Sequence, residues 1–117
     1  MENVLIVDDD PFDSGLIRTS IKNARKDIKI SVVNDSSRAI EAYNGLAPDL
    51  LLLDIQMPSP SGIEILTMLK NPPKRKSARI IVLSGSTSAV DRNRALSLGA
   101  DDYKVKPLSL TAYNELA

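Results

Sequence analysis

The chain has 117 residues, of which 43% are hydrophobic and 26% charged, and its 15 basic and 15 acidic residues give a formal net charge of zero. This size predicts one soluble domain, and the balanced charge provides no overall field to recruit nucleic acid or an anionic membrane. Because the sequence contains neither cysteine nor histidine, disulfide, thiolate and imidazole chemistry are excluded. The first apolar run is too short for a membrane span or a signal-peptide core. We therefore expect a cytoplasmic protein with no membrane or direct nucleic-acid partner.

The first strand and helix are predicted at the start of the chain. Residues 4–7 form an unbroken apolar run, which is typical of a strand covered on both faces. Asp10 and Pro11 then predict a helix start, since an aspartate oxygen accepts from free N–H groups there and proline suits the first helical position. The apolar stripe of this helix is predicted from four residues, namely Phe12, Leu16, Ile17 and Ile21.

An edge strand and a second helix are predicted next. Apolar and polar residues alternate around Ile28, Ile30 and Val32, which favours a strand near the border of the sheet. Ser36 or Ser37 is the predicted N-cap of the helix that follows. Gly45 is predicted to end that helix in the left-handed conformation, which glycine adopts without steric cost.

The most hydrophobic stretch of the chain predicts the centre of the sheet. Residues 50–53 are four leucines, as expected for a strand buried on both faces, and Asp54 ends this strand. A third helix that contains Ile63 must stop before Pro72, because proline disfavours helical conformation in the residue that precedes it. The basic stretch 70–79 is interrupted by prolines, and an exposed connection explains it better than a partner-binding site.

The last third of the chain repeats the alternation of strand and helix. A fourth strand is predicted at 80–83, a fourth helix at 90–98 that Gly99 closes, and a short fifth strand at 103–105. Ser109 is the predicted cap of a last helix, which we expect to be cut short. Five β–α alternations predict one α/β domain over residues 1–117, a parallel sheet with helices on both faces.

Polar residues end the apolar runs of the predicted strands: Asp8, Asp9 and Asp10 after the first, then Asp54, Ser84 and Lys106. The carboxyl ends of parallel strands meet at one edge of an open sheet, where ligands bind. Neighbouring aspartates repel one another, and their hard oxygen ligands suit Mg²⁺. The ammonium of Lys106, which precedes Pro107, can pair with a carboxylate or a phosphoryl oxygen. Each residue alone is typical of a cap or a loop, but the combination predicts a site for a metal ion and a phosphoryl group.

Four segments resemble the receiver domains of two-component response regulators. They are VLIVDDDP at 4–11, LDIQMP at 53–58 with Gly62, VLSG at 82–85 and GADDYKVKP at 99–107. The resemblance covers essentially the whole chain in order and spacing. It implies a doubly wound, five-stranded parallel sheet with the flavodoxin-like strand order 2-1-3-4-5.

The resemblance also implies a reaction. Asp54 would be the phosphoacceptor, whose carboxylate attacks the phosphorus of a phosphohistidine on a sensor histidine kinase or a histidine phosphotransfer protein. Asp9, Asp54 and the backbone carbonyl of Gln56 would ligate Mg²⁺ directly, and Asp8 would act through a metal-bound water. The domain would be a signalling module and no conventional enzyme, catalysing only its own phosphorylation and dephosphorylation.

The remaining roles that the resemblance implies concern the response to phosphorylation. Lys106 would pair with Asp54 and then with the phosphoryl group. Ser84 would move to donate a hydrogen bond to a phosphoryl oxygen, and Tyr103 would swing inward behind it. The face from Thr87 to Ala117 would serve for dimerisation or for docking an output partner.

Two other functions remain open on the sequence alone. Asp8 and Asp10 also satisfy the Asp-x-Asp pattern of haloacid-dehalogenase-like phosphatases, in which Asp8 would be the nucleophile. Members of that family normally insert a flap soon after the first strand, whereas Pro11 begins a helix at once. The second alternative is a receiver fold that serves purely as a docking module, independent of phosphorylation.

Overall fold

The computed structural model describes residues 3–58, 60–70, 78–85 and 88–106. The predictions for Pro107, for the last helix from Ser109 and for most of the basic stretch 70–79 lie outside these residues. The strands are β1 (Asn3–Val7), β2 (Lys29–Val33), β3 (Leu50–Asp54), β4 (Arg79–Ser84) and β5 (Asp102–Val105), and the helices are α1 (Pro11–Ala24), α2 (Ala39–Leu46), α3 (Gly62–Lys70) and α4 (Ala89–Ser97). No helix within this described part has both the length and the apolar character that a membrane crossing needs.

The five strands form one parallel sheet in the order β2-β1-β3-β4-β5, which confirms the predicted α/β fold and strand order. β3 lies at the centre and β2 at an edge, as the apolar run and the alternating pattern predicted. The chain progresses in opposite directions on either side of β1 and β3, so the crevice of this fold opens at the carboxyl ends of these two strands.

The core has two layers because successive strand residues point to opposite faces of the sheet. Residues such as Leu5, Leu53 and Val82 face α2, α3 and α4. Their neighbours, such as Ile6 and Leu52, pack with the buried residues of α1. Burial on both faces accounts for the unbroken apolar runs, and each fully buried leucine or isoleucine contributes about 1.5–3 kcal/mol.

Helix α1 begins as predicted but buries a different face. Asp10 Oδ1 accepts hydrogen bonds from the backbone N–H of Phe12 (2.9 Å) and of Asp13 (3.3 Å), and Pro11 is the first helical residue. Phe12 was predicted in the buried stripe, but it is 71% exposed. The buried residues of the helix are Ser14, Ile17, Ser20 and Ile21. Since each helical residue turns by about 100°, Phe12 lies about 200° round the helix from Ser14 and away from the sheet.

The entry to α2 corrects the prediction that a serine caps this helix. A short 3₁₀ turn, Ser36–Arg38, precedes α2, and its N-cap is Asp35, whose carboxylate accepts from the backbone N–H of Ser37 at 3.0 Å. The hydroxyl of Ser36 instead donates to the carbonyl of Pro58 at 3.2 Å. Ser36 thus ties the loop before α2 to the loop after β3.

The end of α2 corrects the prediction for Gly45, which lies inside the helix. The left-handed residue is Ala47, with φ of 44°, and its N–H closes the helix on the carbonyl of Tyr43. Pro48 follows, and it disfavours right-handed helical conformation at Ala47. At the end of α4, by contrast, Gly99 has φ of 105°, as the sequence predicted.

Gly62 permits a close approach between the start of α3 and the end of β3. A Cβ atom on this residue would lie 2.4 Å from the carbonyl oxygen of Asp54 and 2.5 Å from Cα of Ile55. These neighbours are backbone atoms and cannot rotate away. The start of α3 can therefore approach the backbone of Asp54 this closely only because residue 62 has no side chain.

We expect Gly62→Ala to destabilise the fold by roughly 1–3 kcal/mol, because the added methyl group overpacks the junction. The measurement is the midpoint and slope of urea unfolding. The control is Gly45→Ala, since a Cβ at this helical position meets no atom within 4 Å and should stabilise by about 0.5–1 kcal/mol. Equal midpoints for Gly62→Ala and the wild type would contradict the proposed packing.

Candidate functional site

The carboxyl edge of the sheet brings the predicted site residues together. Asp8 directly follows β1, Asp54 and Ser84 end β3 and β4, and Lys106 directly follows β5. Asp54 is paired with Leu83 in the β3–β4 register, so Ser84 lies one residue further along the neighbouring strand. The backbone N–H of Lys106 donates to the carbonyl of Ser84 at 2.7 Å.

Three carboxylates form the acidic part of the site. Asp8, Asp9 and Asp54 can each place an oxygen within 4.8 Å of the others. Asp8 and Asp54 are 1% and 4% exposed, whereas Asp9 is exposed. Asp10 is not in this group, because its side chain caps α1. The sequence predicted the three members, and the fold places them on adjacent strand ends.

One buried carboxylate oxygen of this group accepts no hydrogen bond of standard geometry among the described residues. Asp8 Oδ1 accepts from the N–H of Asp10, and Asp54 Oδ1 from the N–H of Gln56, both at 2.9 Å. Within the described residues Asp8 Oδ2 is buried without a hydrogen bond of standard geometry, although it lies 2.9 Å from Lys106 Nζ. A buried oxygen of this kind is costly. Together with two further carboxylates it fits a hard divalent cation.

Lys106 is the cation of the site, and its side chain is 15% exposed. Its Nζ lies 2.9 Å from Asp8 Oδ2, 3.1 Å from Asp13 Oδ2 and 3.4 Å from Asp54 Oδ2. Sequence reasoning predicted the pairing with Asp54 but missed Asp13. An acidic residue in the first turn of a helix is ordinarily explained by the helix dipole. The sequence did contain one signal for this contact: Asp13 lies in the first turn of a helix that starts at the carboxyl edge of the sheet, close to the predicted site.

Burial and charge shift the pKa values of the central pair. Burial raises the pKa of Asp54 to about 6, and the charge of Asp8 adds to this, while the Gln56 hydrogen bond and the Lys106 charge act in the opposite direction. For Lys106, burial lowers the pKa, but the close carboxylates of Asp8 and Asp13 and the Asp54 charge outweigh it and raise the pKa above its ordinary value. Lys106 therefore stays charged, but its single positive charge does not balance the three carboxylates that it contacts.

Ser84 and Tyr103 lie beside this cluster on the last two strands. Ser84 is completely buried, and Tyr103 is largely buried in the core layer that faces α4. In the β4–β5 register Tyr103 is paired with Val82, and Ser84 with Val105. The predicted output face is described only through α4 and β5, because Thr87 and residues 107–117 lie outside the described part.

Comparisons with known proteins identify the family. The family model for the response regulator receiver domain matches residues 4–116. The DNA-binding response regulator MtrA of Mycolicibacterium smegmatis is 34% identical over 106 residues, which are 91% of this chain and 44% of that protein. The transcriptional regulatory protein TrcR of Mycobacterium tuberculosis is 34% identical over 107 residues, covering 92% of this chain and 40% of that protein. The chain thus spans less than half the length of these relatives.

Solved structures show the same architecture. The signal receiver domain of a DNA-binding response regulator from Colwellia psychrerythraea superposes with a TM-score of 0.88 at 23% identity, covering 99% of this chain and 94% of that one. The phosphorylated cyanobacterial phytochrome response regulator RcpA gives 0.85 at 28% identity, with 98% and 87% covered. The chain therefore belongs to the response regulator receiver domains, the signalling modules of two-component systems.

Proposed function

We propose that this receiver domain accepts a phosphoryl group on Asp54 from a phosphohistidine and thereby switches a partner-binding surface. The donor would be a sensor histidine kinase or a histidine phosphotransfer protein, and the reaction would depend on Mg²⁺. The observation that carries the proposal is the position of Asp54. Its buried carboxylate lies at the end of the central strand, beside the Lys106 ammonium and two further carboxylates.

Phosphoryl transfer depends mainly on positioning and on charge neutralisation. The N–H of Gln56 holds Asp54 Oδ1 at 2.9 Å, and Asp54 Oδ2 lies 3.4 Å from Lys106 Nζ. One oxygen bonds to phosphorus as the phosphorus–nitrogen bond of the donor breaks, and the donor imidazole keeps the electron pair of that bond. An ionised carboxylate needs no general base, so the absence of histidine from the chain is consistent with this chemistry.

The acidic residues would hold the metal ion. Asp9, Asp54 and the backbone carbonyl of Gln56 would bind Mg²⁺ directly and Asp8 through water, and the ion would neutralise charge on the phosphoryl oxygens. Lys106, 3.4 Å from Asp54 Oδ2, would supply the second positive charge. Because burial raises the pKa of Asp54 to about 6, a nearby cation also favours the ionised nucleophile.

A relative supports the covalent step. RcpA, 28% identical to this chain, is described as phosphorylated in its solved structure. The curated relatives are DNA-binding or transcriptional regulators, so control of an output through this domain is the role that we infer. A cytoplasmic location, which would bring the domain together with its kinase, stays a prediction.

The switch would run from the phosphoryl group to α4 and β5. Phosphorylation adds close to two negative charges, and Ser84 follows the β4 residue that pairs with Asp54. Tyr103, on the next strand, is already buried, so phosphorylation would favour this inward position. Val90 and Val105 are 73% and 45% exposed on α4 and β5, and such exposed apolar side chains suit a dimer or an output partner.

The phosphatase alternative is less compatible with the start of the chain. β1 ends at Val7 and α1 begins at Pro11, so three residues connect them and no flap is inserted. In the phosphatase alternative Asp8 would be the nucleophile, but its carboxylate pairs with Lys106 and accepts a hydrogen bond from the N–H of Asp10. Turnover of a small phosphate ester that Asp8→Ala abolishes and Asp54→Ala retains would favour the phosphatase.

Incubation with acetyl phosphate and Mg²⁺ should add one phosphate to the wild-type chain, measured by intact mass. Asp54→Ala should add none, because the nucleophilic oxygen is gone. Ser97→Ala, a change at an exposed position in α4, is the control and should behave as the wild type. Absence of phosphate from the wild type, or its retention in Asp54→Ala, would overturn the proposed function.

The stability of the Mg²⁺-free protein should depend on pH through Asp54. Its pKa is about 6 in the fold and 3.8 in the reference state, so the folded state binds more protons between these values and loses stability as the pH rises through them. Asp54→Asn should therefore be more stable than the wild type at pH 7.5 by about 1–3 kcal/mol. The difference should vanish near pH 4.

The measurement for this pH dependence is urea unfolding in a chelating buffer at several pH values. Addition of Mg²⁺ should stabilise the wild type more than Asp54→Asn, because the variant has lost a ligand. A difference between the two proteins that does not change from pH 4 to pH 7.5 would show that burial does not shift the titration of Asp54.

Ser84→Ala should still accept phosphate, but phosphorylation should alter the conformation of β5 less than it does in the wild type. We expect smaller phosphorylation-induced NMR shifts at Tyr103 and along β5 than in the wild type, since the hydroxyl that would follow the phosphoryl group is missing. Ser97→Ala again serves as the control. If phosphorylation of the wild type shifts no β5 resonance, the switch is wrong and the docking-module alternative gains support.

A further inference from the structure

Asp13 is a fourth carboxylate in the site and belongs to no role described so far. It lies in the first turn of α1, where its N–H donates to Asp10 Oδ1 at 3.3 Å. Its Oδ2 accepts a hydrogen bond from Lys106 Nζ at 3.1 Å, and its side chain is 28% exposed. It is not part of the group of carboxylates that could hold a metal ion.

We propose that Asp13 is a positioning residue that holds the Lys106 ammonium away from Asp54 and so restrains phosphorylation. This inference rests on the proposed function of Asp54 as the phosphoacceptor. It assigns to the chain a device that sets how readily the site accepts a phosphoryl group.

The distances place Lys106 closer to two other carboxylates than to the nucleophile. Its Nζ is 2.9 Å from Asp8 and 3.1 Å from Asp13 but 3.4 Å from Asp54. An ammonium has three N–H donors; that of Lys106 donates to Asp13 and Asp54 and forms an ion pair with Asp8. A phosphoryl group on Asp54 would have to compete with Asp8 and Asp13 for this ammonium.

Asp13 is the competitor that persists when a metal ion binds. Asp8 belongs to the metal group, so a cation would draw its charge away from Lys106. Asp13 lies outside that group, and its carboxylate continues to attract the ammonium. It also adds negative charge near the nucleophile, which raises the electrostatic cost of bringing in an anionic phosphoryl donor.

The helix-dipole role of Asp13 does not explain these contacts. A carboxylate in the first turn stabilises a helix whether or not it pairs with a lysine. If Asp13 served α1 alone, its removal would weaken the fold and would not accelerate phosphorylation. The two roles therefore predict different results: removal of Asp13 accelerates phosphorylation if it restrains Lys106, and leaves the rate without a gain if it serves the helix alone.

The test compares Asp13→Asn with Asp10→Asn. Both changes remove one negative charge from the start of α1, but Asp10 is exposed and accepts from backbone N–H groups of the helix. Asparagine caps helices about as well as aspartate does. Asp10→Asn thus controls for charge without releasing Lys106. Asp13→Glu, which restores a carboxylate, tests for rescue.

Two quantities are measured at saturating Mg²⁺: the initial rate of phosphorylation by acetyl phosphate, and the affinity for beryllofluoride by calorimetry. We expect Asp13→Asn to increase both quantities by roughly threefold to tenfold, which is the effect expected from removing one partly screened charge beside the ammonium. Asp10→Asn should change them by less than about twofold, and Asp13→Glu should stay near the wild type.

Unchanged or slower phosphorylation of Asp13→Asn, or an equal gain in Asp10→Asn, would overturn the inference. Failure of the proposed function gives a different result, since the wild type itself would then take up no phosphate. A wild type that is phosphorylated on Asp54 while Asp13→Asn shows no gain over Asp10→Asn disproves the restraint alone.

Discussion

One ammonium group, that of Lys106, faces three carboxylates at the carboxyl edge of the sheet, and the rest of the site depends on this imbalance of charge. Asp8 and Asp54 are buried, where unpaired negative charge is expensive. Lys106 compensates part of it and keeps its own proton because of these neighbours. The remaining negative charge explains why Asp8, Asp9 and Asp54 could hold a divalent cation.

The fold and the main site residues could be predicted because they depend on strong local signals. Four leucines in a row require a central strand, and the polar residue that ends such a strand lies at the edge where ligands bind. Asp54 follows from this rule directly. Asp8, Ser84 and Lys106 follow from it as well, since each comes at or just after the end of an apolar run.

The features that were missed depend on geometry that no short pattern encodes. The contact between Asp13 and Lys106 joins residues 93 positions apart, and it arises because the long side chain of Lys106, just after β5, reaches the first turn of α1. Phe12 was assigned to the wrong helical face. It lies four residues before Leu16, as in an apolar stripe, but the face that packs on the sheet is centred on other residues, such as Ser14 and Ile17. The left-handed turn at Ala47 was missed because α2 runs past Gly45 to Leu46, so the turn falls on a residue that the usual preference for glycine does not indicate.

Gly62 has a consequence for anyone who would transplant this site into another scaffold. The start of α3 lies so close to the end of β3 that backbone meets backbone there, and this approach holds together the two ends of the loop that carries Gln56. If only the carboxylates and the lysine were copied, the position of this loop, and with it that of Gln56, would no longer be fixed. A functional graft has to include the glycine and the strand-to-helix spacing along with the charged groups.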